Sequence, residues 1–372
     1  SIDAKTGKKV SFGVVRVANI PPCVALTRYL LNAEWTENVA PRVMAYHSRQ
    51  VLVLRSEQEK HLDHVLKRKE KLGEQAAAFS DEVIRQHLDV TDYDNVIFIL
   101  VATPVEEVGR DHDFDWAVVE PSSYRSIIQL SGRVLRHRKL EQDIQKPNIA
   151  LMQYNLKGLR KAKVAFEKPG FEINNDKFKL QNKNLNELLD ISGIEFSINA
   201  IPRIKANQPL QAIKKLADLE HAVMADALTS YNKVGAKPLN SWLTQKWFLT
   251  ALPQQFNPFR QSSPNIQLFA LWRNHKLTFC EKNDFGEYID RSGFYNIQPV
   301  QLNELEQQRL WLNRNYYDIL CRFVLDKCVE NEDIEEEVEK LSKRYGEIML
   351  PEYDENKKLM YSEQFGLVVL DQ

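Results

Sequence analysis

The seven-residue run Val96-Ile-Phe-Ile-Leu-Val-Ala102 constrains the fold more than any other stretch of this chain. An unbroken apolar run of that length suits a strand buried on both faces, as in a parallel sheet covered by helices. It is also far too short to cross a bilayer. Around it, Val10–Val17, Arg42–Tyr46, Trp116–Glu120 and Ile149–Gln153 read as further strands. Pro21 and Pro22 end the first strand, and Cys23–Leu31 then reads as a helix; Ser56 to about His87 reads as one long helix. Strands alternating with helices predict an α/β fold, a doubly wound parallel sheet with helices on both faces, over residues 1–155.

Beyond Tyr154 the texture changes. Lys157–Lys163 is basic, and Phe166–Lys183 is polar and reads as a linker. Leu185–Leu189 and Pro209–Thr229 read as helical, and Trp242–Leu252 as a short aromatic helix closed by Pro253. Ile266–Trp272 and Leu277–Cys280 read as paired strands around Arg273-Asn274-His275, and Leu302–Arg344 as mostly helical. The tail from Pro351 shows no clear pattern. The expected division is therefore a sheet domain over 1–155, a linker and helical region over 156–260, and a small α+β domain over 261–372. Basic and acidic residues number 50 and 51, so no global field marks a nucleic-acid or membrane surface. Four cysteines in 372 residues make no disulfide framework, and no secretory pattern opens the chain. A reducing, cytoplasmic setting without a membrane is the expectation.

In a parallel sheet, ligands sit outside the carboxyl ends of the strands. The loop after Ala102 reads Thr103-Pro-Val-Glu-Glu-Val-Gly109-Arg-Asp111. A threonine hydroxyl with backbone N–H groups at a helix start can hold a phosphate oxygen. Gly109 lets backbone approach a ligand, and Asp111 can accept hydrogen bonds from a ribose. Further on comes Gln129-Leu-Ser-Gly-Arg133-Val-Leu-Arg136. On a helix, Arg133 and Arg136 would share one face, one turn after Gln129. Two guanidinium forks there match a polyphosphate, which arginine binds in bidentate fashion. The plain alternative is a solvated basic face.

Other patterns carry less. Asp111, Asp113 and Asp115 alternate like a calcium loop, but Trp116 and Ser122 stand where that loop needs glycine and glutamate. His61 and His64 read as a solvated helix face, and Cys321 and Cys328 as core thiols. Trp242, Trp247 and Phe248 have helical spacing and read as core packing, with a base-stacking platform as the alternative. The Lys157, Arg160, Lys161, Lys163 cluster could track a phosphate backbone or simply face water, and the acidic stretch Glu330–Glu339 reads as a solvated helix.

Thr103 with Asp111, followed by Gln129-x-x-Gly132-Arg133-x-x-Arg136, resembles the fifth and sixth motifs of superfamily 2 helicases. Ser11–Leu31 and Val43–Arg49 resemble the fourth motif and the strand after it. The string Ala102–Asp115, with Gln129–Arg138, is similar to the CRISPR-associated helicase–nuclease of type I systems, nearest the type I-F variety that is fused to an adaptation-type domain. The loop Asn257-Pro-Phe-Arg260 marks that family's C-terminal domain weakly. Val108 and Leu130 stand where arginines are more familiar. The resemblance implies a second RecA-like lobe followed by a C-terminal domain. It implies that Gln129, Arg133 and Arg136 face the ATP phosphates, with Arg136 as arginine finger and Arg133 beside it, and that Gly109 and Asp111 lie near the nucleotide. It implies that Thr103 and the His47-Ser48-Arg49 loop touch the backbone of single-stranded DNA. The implied partners are that DNA, an RNA-guided surveillance complex, an adaptation integrase and an N-terminal half carrying the nuclease and first lobe.

The Gly-rich phosphate loop and Mg²⁺ motif that a motor needs in its first lobe are not found in this sequence. Thr6-Gly7-Lys8-Lys9 has no hydroxyl residue after its lysine and reads as surface. No His-Asp nuclease site is visible, so no metal site is expected in this chain and the nuclease metal would lie elsewhere. The expectation is the back half of a larger ATP-dependent 3′-to-5′ DNA translocase, inactive in isolation, with ATP and Mg²⁺ completed by the other lobe. Two rivals are a superfamily 2 lobe outside CRISPR and a non-catalytic protein-docking module.

Overall fold

The computed structural model describes residues 1–71, 73–107, 109–138, 144, 146–167, 170–194, 198–228, 235–236, 238–239, 241–256, 265–326, 334–351 and 358–370. Two compact units emerge. One joins Ser1–Val118, Gly132–Ile149 and Pro264–Gln372, and the other joins Val119–Ser131 and Ala150–Ser263. Most of the expected 1–155 span and nearly all of the 261–372 span fall in the first unit, while 119–131 and 150–155 fall with the middle region in the second.

The first unit is built on β1 (Lys9–Arg16), β2 (Val39–Tyr46) and β3 (Asn95–Ala102). With β4 (Trp116–Val119) and β5 (Ile149–Leu151) they form a sheet ordered β2-β3-β1-β4-β5. β3 runs parallel to both neighbours in full register, Lys9 and Val39 both opposite Asn95, and Arg16 and Tyr46 both opposite Ala102. From Phe98 onward every β3 residue is buried, as the apolar run demands. This α/β arrangement is that of a RecA-like lobe.

Helix α1 (Ile20–Asn32) starts with prolines at its first turn, where no N–H is needed. Its Cys23, Val24 and Leu31 pack on Val43, Ile99 and Val101 of the sheet. The long helix expected over 56–87 is instead two, α2 (Leu52–Val65) and α3 (Glu82–Val90), with a single tight turn at Ala77–Ser80 between them. Asp81 accepts hydrogen bonds from the Val83 and Ile84 N–H groups, so an N-cap restarts the helix that charge pattern alone could not interrupt.

The C-terminal part of this unit holds two antiparallel-rich sheets. β6 (Asn265–Arg273) and β7 (Lys276–Lys282) pair around Asn274 and His275, both at positive φ, as a two-residue hairpin requires. β8 (Tyr288–Asp290) and β10 (Glu347–Pro351) complete the order β10-β6-β7-β8. β9 (Ile297–Pro299), β11 (Lys358–Ser362) and β12 (Gly366–Leu370) form the third sheet. The patternless tail is therefore a hairpin, whose short alternation of buried Leu359 and Tyr361 was too brief to read. The helical stretch expected over 302–344 divides into Glu304–Arg309, a helix at Tyr316–Leu325 and another at Ile334–Tyr345, with Asn303 and Asn315 capping the first two.

This part shares its core with the lobe. Val51, Val53 and Leu54 bury with Leu268, Tyr316, Leu320 and Leu367. Trp311 is fully buried against Phe12 and Phe98, at ring-centroid distances of 5.8 and 5.2 Å. Its indole N–H donates to His61 Nε2 at 3.0 Å, and its carbonyl accepts from His87 Nε2 at 2.8 Å. His61 is thus a buried acceptor, which corrects the solvated face expected for it; His64 stays exposed. The Arg314 guanidinium reaches Leu54 O, Gln58 Oε1 and Gln364 O at 3.1, 2.8 and 2.9 Å.

The second unit is helical. Glu220 on the helix Leu216–Leu228 accepts from the Tyr124 and Arg125 N–H groups, capping α4 (Tyr124–Ser131) with charge. The polar stretch after Phe166 is organised by buried Glu172, whose carboxylate accepts from the Ala165, Phe166 and Leu180 N–H groups. Phe248 is exposed, and Trp242 and Trp247 are half-buried, so the expected core packing of this trio does not hold: the helices here are too short to cover them. The basic cluster keeps Arg160 and Lys161 exposed, with Lys157 paired to Glu167. Val108, Cys328, the loop 257–264 and residues 330–333 of the acidic stretch lie outside the described residues. No helix among the described residues is long and apolar enough to cross a membrane.

Candidate nucleotide and DNA site

The carboxyl ends of β1, β2 and β3 are in register, so Thr103, His47 and the residues after Arg16 share one edge. Thr103 is buried, and its N–H donates to Tyr46 O at 3.0 Å, tying the start of the loop to β2. Pro104–Glu106 forms a single tight turn. Glu107 then sends its carboxylate to Arg16 Nε at 2.7 Å, with both side chains buried.

The arginines are not on a helix. α4 ends at Ser131, and Arg133 and Arg136 lie on the segment after it. Two bonds hold that segment extended beside Phe114: Phe114 N–H to Arg133 O at 2.7 Å and Leu135 N–H to Phe114 O at 2.9 Å. Pairing with a neighbouring strand end overrides the helical continuation that the sequence suggests, and Leu135 takes a positive φ of 48° to allow it.

Arg133 is 6% exposed, and its Nη2 donates to the Glu107 carbonyl at 3.2 Å. Its Nε and Nη1 are buried without a hydrogen-bond partner among the described residues. Burial, then the neighbouring Arg136, pulls its pKa below the usual arginine range. A buried guanidinium with two idle donors is costly, and an anion at that point would satisfy it. Arg136 is partly exposed, with Nε 3.2 Å from Asp111 Oδ1. Asp111 also takes His137 Nε2 at 2.8 Å and Lys69 Nζ at 3.1 Å, and these two partners lower its pKa to about 2. Asp111 is thereby engaged by Arg136, Lys69 and His137 rather than standing free for a ribose hydroxyl. Gly109 has a φ of 72°, a conformation that favours glycine, and nothing crowds the space where a side chain would stand. Gln129 lies half-buried on α4, in the second unit.

Asp113 and Asp115 face inward, not toward a metal. They hold Arg138, with Nη2 to Asp113 Oδ1 at 2.8 Å and Nη1 to Asp115 Oδ1 at 2.6 Å, and Asp115 Oδ1 also takes Arg68 Nη1 at 2.9 Å.

On the β2 side, His47 is fully buried and its Nδ1 accepts from the Arg49 N–H at 3.2 Å. Burial, then the nearby Arg49, lowers its pKa to about 3, so the ring is neutral. A direct DNA contact by that ring is ruled out by its burial. Ser48 is exposed and Arg49 partly so. The Arg49 carbonyl accepts from Leu367 N–H at 3.0 Å, and Gly366, at a φ of 66°, passes so close to that carbonyl that no side chain fits. Glu107, Arg16, Lys69 and His137 were not among the residues singled out by motif. Only Glu107 lies in the loop after the apolar strand; Arg16 ends β1, Lys69 follows α2 and His137 follows Arg136, so no local pattern grouped them.

The five-stranded sheet ordered β2-β3-β1-β4-β5, parallel through β2, β3 and β1 and flanked by helices, is the α/β fold expected of a RecA-like lobe. Residues 9–139 match the family model described as CRISPR-associated nuclease/helicase Cas3, C-terminal. The CRISPR-associated nuclease/helicase Cas3 subtype I-F/YPEST of Pectobacterium atrosepticum is 39% identical over 276 residues, covering 72% of this chain and 24% of that protein. The protein of the same description from Pseudomonas aeruginosa is 34% identical over 356 residues, covering 93% of this chain and 31% of that protein. The chain belongs to this CRISPR-associated family and corresponds to its C-terminal portion. It spans less than a third of the length of either curated relative. A crystal structure of T. fusca Cas3 aligns over 98% of the chain at 11% identity with a TM-score of 0.38. A crystal structure described as a CRISPR-associated protein aligns over 98% at 14% identity with a TM-score of 0.37.

Proposed function

We propose that this chain is the second RecA-like lobe and C-terminal region of an ATP-dependent single-stranded DNA translocase coupled to a nuclease in CRISPR defence, acting in the cytoplasm. The observation that carries this reading is the buried Arg133 guanidinium with two unpartnered donors, beside Arg136 and the open backbone at Gly109. Arg133 and Arg136 would face the γ-phosphate of ATP bound against a first lobe, and Gln129 would support them. Stabilising charge on a transferring phosphoryl group is the task guanidinium groups perform in such motors. Mg²⁺ would accompany the nucleotide, neutralising phosphate charge, with ligands from the first lobe.

Ser48 and Arg49 would line the DNA track, while Thr103, buried at the end of β3, would brace the loop behind them rather than touch DNA as the motif implied. His47 would brace their loop from inside. Contacts of that kind carry no base code, so movement in the 3′-to-5′ direction would be largely indifferent to sequence. The partners of the whole protein would be single-stranded DNA, the RNA-guided surveillance complex and an adaptation integrase.

The test is separate replacement of Arg133 and Arg136 by alanine in the full-length protein. DNA-stimulated ATP hydrolysis and DNA degradation are both expected to fall, with the melting temperature retained. Unchanged activities would instead favour a protein-docking module. The isolated chain is expected to turn over little ATP, and brisk DNA-stimulated turnover by it would count against the reading.

A further inference from the structure

Glu106 is wholly buried in the loop that follows β3. Its Oε1 lies 2.7 Å from His112 Nδ1, and His112 Nε2 lies 2.9 Å from Asp63 Oδ1 on α2. Both ring nitrogens thus meet carboxylate oxygens. A neutral imidazole has one N–H, so a ring held from both sides by carboxylates is the imidazolium. Burial opposes that charge, but Glu106 and Asp63 together outweigh it and raise the His112 pKa. Arg110 closes the same group, bonded to Glu59 Oε1 at 2.6 Å and the Tyr46 hydroxyl at 2.8 Å, and 3.6 Å from Asp63.

This cluster meets the nucleotide edge at one point. The residue after Glu106 supplies the carbonyl that receives Arg133 Nη2. The second Glu106 oxygen is buried with no hydrogen-bond partner among the described residues, and the Glu106 charge acts on Arg133. So the turn 104–107 is pinned on one side by His112 and on the other by Arg16, and it aims Arg133.

We propose that Glu106 and His112 are positioning residues for Arg133: their bond locks the turn whose Glu107 carbonyl orients the guanidinium. This rests on the reading of Arg133 as nucleotide-facing. A positioning role of this kind is expected to change the chemical step more than ground-state binding.

The ring offers a way to separate its two ends. Asparagine places its amide where Nδ1 stood and can keep the Glu106 bond; glutamine reaches the Nε2 position and keeps the Asp63 bond instead. In the full-length protein with ATP and single-stranded DNA, His112→Gln is expected to lower kcat about tenfold with KM for ATP within about twofold. His112→Asn is expected to stay within about threefold of the unaltered protein. In an Arg133→Ala background, His112→Gln is expected to lower the residual rate by less than about twofold, because it acts through a group already removed. Glu106→Gln, which preserves shape, reads the same coupling should His112→Gln fail to fold. Equal losses in the two His112 variants, full additivity with Arg133→Ala, or no loss at all would overturn the proposal. If Arg133→Ala itself leaves turnover intact, the nucleotide reading falls and takes this one with it. If Arg133→Ala is impaired while His112→Gln and Glu106→Gln are not, only the positioning pair falls.

Discussion

Arg138 and Arg133 are five residues apart in sequence, and both are largely buried, yet they differ in kind. Arg138 spends its donors on Asp113, Asp115 and the Phe114 carbonyl. Arg133 has one bond to a carbonyl and two donors idle among the described residues. Folding alone explains the first arrangement, because a buried charge that is fully paired is a structural element. It does not explain the second, because an unpaired buried donor lowers stability unless something else meets it. Satisfaction of donors, rather than burial or charge, separates the arginine that holds the lobe together from the one proposed to meet a ligand.

The largest expected effect tests that contrast directly. Arg133→Ala in the full-length protein should lower DNA-stimulated ATP turnover by on the order of 10³-fold, the scale of an arginine finger. Its melting temperature should not fall, and a marked drop would show Arg133 to be structural after all. Arg138→Met should do the reverse. Leaving buried Asp113 without its guanidinium, with Arg68 alone still on Asp115, should cost about 3–5 kcal/mol in denaturant unfolding. An Arg138 variant of normal stability would erase the distinction.

A third test uses a buried group kept neutral. The folded pKa of His47 is lowered to about 3, below its unfolded value. Between those values the unfolded chain binds the extra proton, so stability falls as pH drops below about 6.5. His47→Gln should flatten that fall by about 1.4 kcal/mol per pH unit between about pH 6 and about pH 4. His87, lowered to about 4 by burial first, contributes in the same direction, whereas raised His112 works oppositely, adding stability that is lost as pH rises through its folded pKa. Smallest of all should be Asp111→Asn. Its partners Arg136 and Lys69 are solvent-facing, so thermal melting should not move, and a clear shift would place Asp111 with the structural carboxylates.

The sheet was legible because Val96–Ala102 leaves few alternatives: seven consecutive apolar residues bury on two faces or not at all. The loop and arginine motifs were legible by spacing. Their local structure was not, because Arg133 and Arg136 take their conformation from Phe114, a partner nineteen residues upstream of Arg133 that no helical periodicity registers. His47 shows the same limit. A histidine beside Ser48 and Arg49 reads as a polar loop residue, and only the approach of Gly366 and Leu367 encloses that loop. The roles of Glu106 and His112 were equally hidden, since their partner Asp63 lies on a helix whose pattern says nothing about which carboxylate turns inward.

Trp311 has a consequence for how such a protein must be made. Its indole fills the space between Phe12 and Phe98, so the aromatic stack at the heart of the first strands stays incomplete until the ribosome has passed that codon. A gene cut after the last strand of the sheet would deliver a product with a hole where that ring belongs. Synthesis of the strands that carry Phe12 and Phe98 and their final consolidation are therefore separated in time by the whole stretch that lies between them and Trp311.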